Sequence, residues 1–226
     1  MSGKTTIGIT GAGGRMGGRL VALGKQDPQL QVVAELTRQS NQLTTTPQVL
    51  IDFTSPEAMR HWIDVCRQRK IAMVIGTTGL SDSDHATIDD AAREIPIVQA
   101  PNMSLGVNLL FKIAGEVAKV LGDAYDIEIV EAHHRFKKDA PSGTASGLAN
   151  AITKASGRDN IPTHSLRIGD EVGRHTAYFG GIGERVELTH LATSRDTFAL
   201  GALRAAKWLA NQSKGRYTMA DVLGLK

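Results

Sequence analysis

Short apolar runs set off by turn residues fill the first hundred positions. Thr5 to Thr10 (TTIGIT), Leu30 to Leu36 (LQVVAEL), Val49 to Phe53 (VLIDF), Ile71 to Ile75 (IAMVI) and Ile95 to Gln99 (IPIVQ) each have the length and apolar character of a strand. Helical patterns lie between them. One carries Leu20, Val21 and Leu23; a second opens at Ser55-Pro56, an N-cap followed by proline at N1, and runs on through Glu57 to Arg69; a third opens near Ser81 to Asp84. Strands alternating with helices predict an α/β fold with a doubly wound parallel sheet. The connection Arg38 to Gln48 has only 11 residues, at the lower limit for a crossover, so no full helix is expected there.

From Ser104 the pattern changes. Leu105, Leu109, Ile113, Val117 and Leu121 recur at helical spacing up to Gly122. Tyr125 to Ala132 (YDIEIVEA) then alternates, with Ile127 and Ile129 on one face and Glu128 and Val130 on the other, as a strand does. Leu148, Ile152 and Ala155 mark a helix from Thr144 onward, and strands are expected at His164 to Ile168, His175 to Phe179 and Arg185 to Leu191. Consecutive strands without helices between them predict a second, α+β domain with a mostly antiparallel or mixed sheet. Helical patterns return at Asp196 to Asn211 and Met219 to Leu223 and are expected to pack back on the first domain.

Composition narrows the class. With 226 residues, 41% hydrophobic and 22% charged, the chain can build one large or two small cores. No apolar run approaches a membrane span and no signal-peptide pattern opens the sequence, so a cytoplasmic protein is expected. A net charge of +3 with scattered Lys and Arg does not favour nucleic acid as a partner. The single cysteine, Cys66, falls in a helical run and is expected to be a core thiol.

Two stretches carry chemistry. After the first strand comes Gly11-Ala12-Gly13-Gly14-Arg15-Met16-Gly17, a glycine turn between strand and helix. Read as G-x-x-G-x-x-G, Gly11 makes the tight turn, Gly14 lets a pyrophosphate approach the backbone, and Gly17 lets helix and strand pack closely. The second stretch is Glu131 to Ala145, EAHHRFKKDAPSGTA. His133 and His134 leave the strand pointing opposite ways. Asp139 to Gly143 is turn chemistry opening a helix, whose Gly143 and Thr144 amides form an anion site. A carboxylate can dock there while Lys137, one of the histidines and Arg135 supply charge and protons. The histidine pair raises the question of a metal, but the cysteine is distant and no H-x-x-x-H or Asp/Glu-His spacing follows, so none is expected. His61, His85, His164, His175 and His190 are read as surface or sheet residues.

GAGGRMG, IDFTSPE (Ile51 to Glu57), VIGTTG (Val74 to Gly79), APNMSLGVN (Ala100 to Asn108), EAHHRFKKDAPSGTA and GERVELTHLATSRDTFALGA together resemble the 4-hydroxy-tetrahydrodipicolinate (dihydrodipicolinate) reductase family, in order and over nearly the whole chain. The resemblance implies NAD(P)H-dependent reduction of a cyclic dicarboxylate in diaminopimelate and lysine biosynthesis. It places nucleotide contacts on Gly11, Ala12, Gly13, Gly14, Arg15 and Met16, on Gly76, Thr77 and Thr78, and on Ala100, Pro101, Asn102 and Met103. Proton handling falls to His133 and Lys137, and substrate binding to His134, Gly143 and Thr144. It further implies a dinucleotide-binding domain at 1-103 and 195-226, a substrate-binding and oligomerisation domain at 104-194, and a homotetramer built through the substrate-domain sheets.

The cofactor is NADPH or NADH. Thr37 stands where many dinucleotide sites place a ribose-binding acid, and Arg38 beside it can pair with a 2′-phosphate, which favours NADPH. Glu35 is the competing influence, on the same strand face but two residues earlier. Two rival readings are another two-domain NAD(P)-dependent oxidoreductase of amino-acid metabolism, which would act on an aldehyde, and a non-enzymatic NADPH sensor, which would bind without turnover.

Overall fold

Strand β1 (Thr5–Thr10) lies at the point where the order of the first sheet reverses, with β2 (Leu30–Leu36) on one side and β3 (Val49–Asp52) on the other. In this computed structural model, which describes residues 3–225, the sheet continues through β4 (Ala72–Ile75) and β5 (Pro96–Gln99) to a last strand late in the chain, β10 (Gly215–Tyr217). Its order is β10-β5-β4-β3-β1-β2, and every pairing is parallel. All four residues of β3 and of β4 are buried, as strands covered on both faces require. β10 was not expected, because three residues are too few to show a period.

The helices of this unit start where their side chains cap them. The Ser55 hydroxyl accepts from the Ala58 amide at the head of α2 (Pro56–Arg69), and Ser81 with Asp84 forms a capping box at the head of α3 (Asp82–Ala92). By contrast, the N-cap of α1 (Arg15–Gln26), Gly14, offers no side chain. Residues 38–48 form no helix, and Leu43 from that connection is buried against the core, its carbonyl accepting from Arg69 at 2.7 Å. Cys66 sits in that core, and burial pushes its thiol up, away from nucleophilic use. α6 (Asp196–Leu209) and α7 (Met219–Leu223) belong to this unit, which comprises Met1–Ser104 and Asp196–Lys226; Arg19 on α1 forks Asp196 with two 2.6 Å bonds.

The second unit, Leu105–Arg195, contains α4 (Leu105–Leu121), β6 (Asp126–His133), α5 (Gly143–Ser156), β7 (Thr163–Arg167), β8 (Gly173–Gly180) and β9 (Arg185–Ala192). The sheet order is β7-β6-β8-β9, parallel between β6 and β7 and antiparallel elsewhere. Ile127, Ile129, Ala177 and Phe179 form the apolar part of its inner face and pack with Leu110, Ala114, Leu148 and Ile152 of the two helices.

The α4 pattern needs correction. Leu109 and Ile113, expected on the core stripe, are 46% and 41% exposed, while Val107, Leu110, Ala114, Gly115 and Ala118 are buried. Small residues chose the contact face. A Cβ at Gly115 would lie 3.1 Å from the Ala155 Cβ and 3.2 Å from the Ala151 carbonyl, so α4 and α5 approach through alanine and glycine rather than through the large side chains.

Candidate active site

The glycine turn of the first unit is sterically committed. Gly11 sits at φ +62°, and a Cβ at Gly17 would fall 2.0 Å from the Gly11 carbonyl oxygen. The Gly14 amide donates to that carbonyl at 2.8 Å, and Ala12 donates to Leu36 on β2 at 2.9 Å. With no side-chain cap and no acid in its first turn, α1 directs its leading amides at open space suited to an anion. Gly11, Gly13 and Gly14 line one end of a cleft of about 820 Å³, and Thr37, Arg38 and His61 line more of it. A dinucleotide fits this arrangement: a bare helix N-terminus behind an obligatory glycine turn, with a cleft running toward the β2 tip.

Beneath the turn lies Asp52, a fully buried carboxylate at the end of β3. It accepts the hydroxyls of Thr10 (2.6 Å), Thr54 (2.7 Å) and Thr77, tying the exits of β1, β3 and β4 together. Thr77 also accepts the Thr54 amide at 3.0 Å, so its hydroxyl is occupied within the fold. Gly76 is covered by the Phe53 ring, which a Cβ there would meet at 2.2 Å. Thr78 and Pro101 are exposed, Ala100 and Met103 are buried, and the Asn102 side chain accepts from the Ser104 amide at 2.8 Å. At the β2 tip, Thr37 and Ser40 close a turn through two bonds of 2.9 and 3.1 Å, with Arg38 exposed between them. Glu35 is ion-paired to Lys25 on α1 at 2.7 Å and does not line the cleft.

In the second unit, the inner face of the sheet changes from apolar to polar toward the end of β6. Alternation continues from Ile127 and Ile129 to Glu131 and His133, and the register sets Glu131 beside Ser165 on β7 and His175 on β8. Glu131 is fully buried. It lies within hydrogen-bond distance of Nδ1 of His133 and accepts from both terminal nitrogens of Arg167 (3.1 and 2.8 Å) and the Ser142 amide (3.3 Å). Burial alone would raise its carboxyl; the bonds from Arg167, Ser165 and His133 outweigh that and hold it at about 2.

His133 is buried, and burial lowers its basicity against the pull of Glu131, with the charges of Lys137 and Arg167 acting in the same direction as burial. Lys137 pairs with Asp139 at 2.8 Å, and Asp139 is held below its ordinary range by that bond against a smaller number of water contacts. His134 is half-buried, its amide donating to the Glu171 carbonyl at 2.7 Å; Arg135 is exposed. Ser142 caps α5 by accepting from the Ala145 amide at 3.2 Å, and its hydroxyl lies 3.1 Å from Nε2 of His175. Gly143 is exposed at the first position of α5 and Thr144 is buried behind it.

The sequence reading thus named His133, Lys137, Gly143 and Thr144, and the fold does bring their segments to one end of one sheet. It missed Arg167 and made His175 a plain sheet residue. His175 is a β8 residue, but it is buried against His133, ring centroids 5.1 Å apart, and burial holds it at about 4. Period-two alternation through His175, Ala177 and Phe179 was the available signal. The absence of metal spacing in the sequence also proved an incomplete guide, since Glu131, His133 and His175 place ligand-type atoms within 4.8 Å of one another.

Known proteins bear on both units. A family model described as dihydrodipicolinate reductase, N-terminus, matches residues 5–103, and one described as dihydrodipicolinate reductase, C-terminus, matches residues 106–223. The chain is 45% identical to a 4-hydroxy-tetrahydrodipicolinate reductase of Thiobacillus denitrificans, covering 97% of this chain and 98% of that one. It is 41% identical to the enzyme of the same name from Geotalea uraniireducens, covering 97% and 99%. Among solved structures, a dipicolinate-bound dihydrodipicolinate reductase from Paenisporosarcina superposes with a TM-score of 0.80 at 24% identity, over 96% of this chain and 98% of that one, and so shares the fold.

Proposed function

The chain belongs to the dihydrodipicolinate reductase family, and from that membership we infer which residues carry its chemistry and which cofactor they favour. It is an oxidoreductase that reduces 4-hydroxy-tetrahydrodipicolinate, by way of dihydrodipicolinate, to tetrahydrodipicolinate with a reduced pyridine nucleotide, in diaminopimelate and lysine biosynthesis. In our reading the first unit holds the nucleotide and the second holds the substrate. The observation that carries the site reading is the juxtaposition, in the second unit, of a buried His133–Glu131 pair with the Lys137 segment and the α5 N-terminus.

Each residue then has a task. The Gly143 and Thr144 amides take one substrate carboxylate at the positive end of α5, and His134 contacts the dicarboxylate from the strand exit. When bound, the nicotinamide supplies the hydride. Electron density arriving on the substrate ring calls for a cation and a proton, which Lys137 and His133 provide. In the first unit, residues 11–16, 76–78 and 100–103 hold the nucleotide. Arg38 in the cleft takes the 2′-phosphate of NADPH, while the Lys25 pair keeps Glu35 from the ribose. The outer face of the second sheet, with Leu166 and Leu191 exposed, is the surface through which a cytoplasmic homotetramer forms in this reading.

The test supplies the protein with NADPH and freshly made product of the upstream aldolase-type synthase and follows the loss of reduced-nicotinamide absorbance. Turnover is expected, and pyridine-2,6-dicarboxylate should compete with substrate more strongly than the mono-acid. Equal inhibition by the two acids would refute two carboxylate contacts, and turnover of aspartate semialdehyde in place of the cyclic substrate would refute the substrate reading.

A further inference from the structure

Glu131 is the only carboxylate of the second unit, among the described residues, that is fully buried. Such a group is tolerated only where donors replace its water. Five do so: the Nδ1 proton of His133, both terminal nitrogens of Arg167, the Ser142 amide and the Ser165 hydroxyl. The neighbouring His133 and His175 would invite a divalent cation. Arg167 argues against one, because its guanidinium forks both Glu131 oxygens and stands where the ion's charge would be needed.

An ionised carboxylate accepts only, so the His133 nitrogen against it bears the proton. The ring's other edge lies along Gly173 of β8, where a Cβ would stand 3.1 Å from Nε2. Hence no side chain of residue 173 covers that nitrogen. We propose that Glu131, forked by Arg167, is a positioning residue: it anchors His133 through its Nδ1 proton and so commits Nε2 to proton traffic. This rests on the reading of His133 as the proton-handling group.

The groups facing His133 are Glu131 on its own strand, Arg167 on β7, His175 on β8 and Lys137, with its partner Asp139, in the following loop. Only the two carboxylates among them favour an imidazolium. Burial, Lys137 and Arg167 oppose it, and the balance leaves His133 less basic than an ordinary histidine. Removing the Glu131 charge must therefore lower the His133 titration further, and removing the Arg167 charge must raise it. Charge alone accounts for those opposite shifts; a purely structural role would not fix the Nδ1–H tautomer or lower kcat while sparing KM.

Long-range proton–nitrogen spectra of the labelled free protein read both the tautomer and the titration, with His133 assigned by its loss in His133→Gln. The unmutated protein should show the Nδ1–H form. Glu131→Gln should lower the midpoint and cut kcat at least tenfold with KM changed less than threefold; Arg167→Gln should raise the midpoint. An Nε2–H form in the unmutated protein, or shifts of the same sign in both variants, overturns the proposal, and the first of these needs no Glu131 or Arg167 variant to fold. Because the spectra need no substrate, a protein that shows the expected form and shifts but no turnover would sink the functional reading alone.

Discussion

Substituting Gly17 by alanine separates steric demand from helix propensity. The added Cβ would lie 2.0 Å from the Gly11 carbonyl oxygen, 2.5 Å from its carbon and 2.8 Å from the Ala12 Cα, all backbone atoms of the glycine turn. Carbon contacts are comfortable only at roughly 3.5–4.0 Å, so the turn or α1 must move by more than about 1 Å. Overpacking of this kind costs about 1–3 kcal/mol, offset by about 0.5–1 kcal/mol from replacing a helical glycine. The net loss, up to about 2.5 kcal/mol, should lower Tm by as much as roughly 5–10 °C for a chain of this size. Displacing the turn should also weaken NADPH binding at least tenfold, about 1.4 kcal/mol, measured by calorimetric titration. Gly18 is the control. It is exposed, its Cβ would meet only the Ala12 carbonyl at 3.7 Å, and Gly18→Ala should keep NADPH affinity and melt no lower. If Gly17→Ala binds NADPH like the unmutated protein, the turn does not hold the nucleotide in the way described.

Four further outcomes follow from the same geometry. Lys137→Ala should lower kcat by about 100-fold or more with NADPH affinity unchanged, since loss of a proton-supplying group has that scale; near-normal turnover would remove Lys137 from the chemistry. His134→Gln should mainly raise KM and His133→Gln mainly lower kcat, and the reverse split in steady-state kinetics would exchange their roles. Arg38→Ala should raise KM for NADPH and leave NADH nearly untouched, whereas an unmutated enzyme preferring NADH by tenfold would mean Glu35 reaches the ribose despite Lys25. His175 is held at about 4 when folded and titrates near 6.5 when unfolded, so the unfolded state takes the proton first; stability is complete above about pH 6.5 and falls as pH drops toward 4, by roughly 2–3 kcal/mol from this group. His175→Gln should flatten that part of a Tm-against-pH curve, and an unchanged slope would assign it to other groups.

How far the fold was legible depended on where its contacts lie in sequence. β1 and β2 emerged with the expected ends, as did the starts of α2 and α3, because apolar runs and caps are written locally. The α4 face was not, since Leu109 and Ile113 lost the buried side to Ala114, Gly115 and Ala118 only once α5 supplied Ala151 and Ala155 to meet them. Periodicity measures hydrophobicity, while close helix packing is decided by size. β10 had no chance of being read from three residues whose pairing partner, β5, lies more than a hundred positions earlier.

The same distinction runs through the chemistry. His133 and Lys137 could be named because they share one short segment, yet what sets the properties of His133 arrives from β7 and β8 through strand register. Asp52 and Glu131 show the physical reason these determinants stay hidden. Each is a fully buried carboxylate in the terminal part of a strand, just before a loop that begins a helix. A sequence shows an acid in such a place as a solvated strand end. The fold gives Asp52 three threonine hydroxyls from three strand exits, which fix backbone without adding opposing charge. It gives Glu131 an arginine and a histidine, so here the same kind of anchor also sets protonation. In the reading proposed above, one buried acid braces the loops that hold the nucleotide and the other orients the ring that handles protons; the difference lies in the donors the neighbouring strands bring.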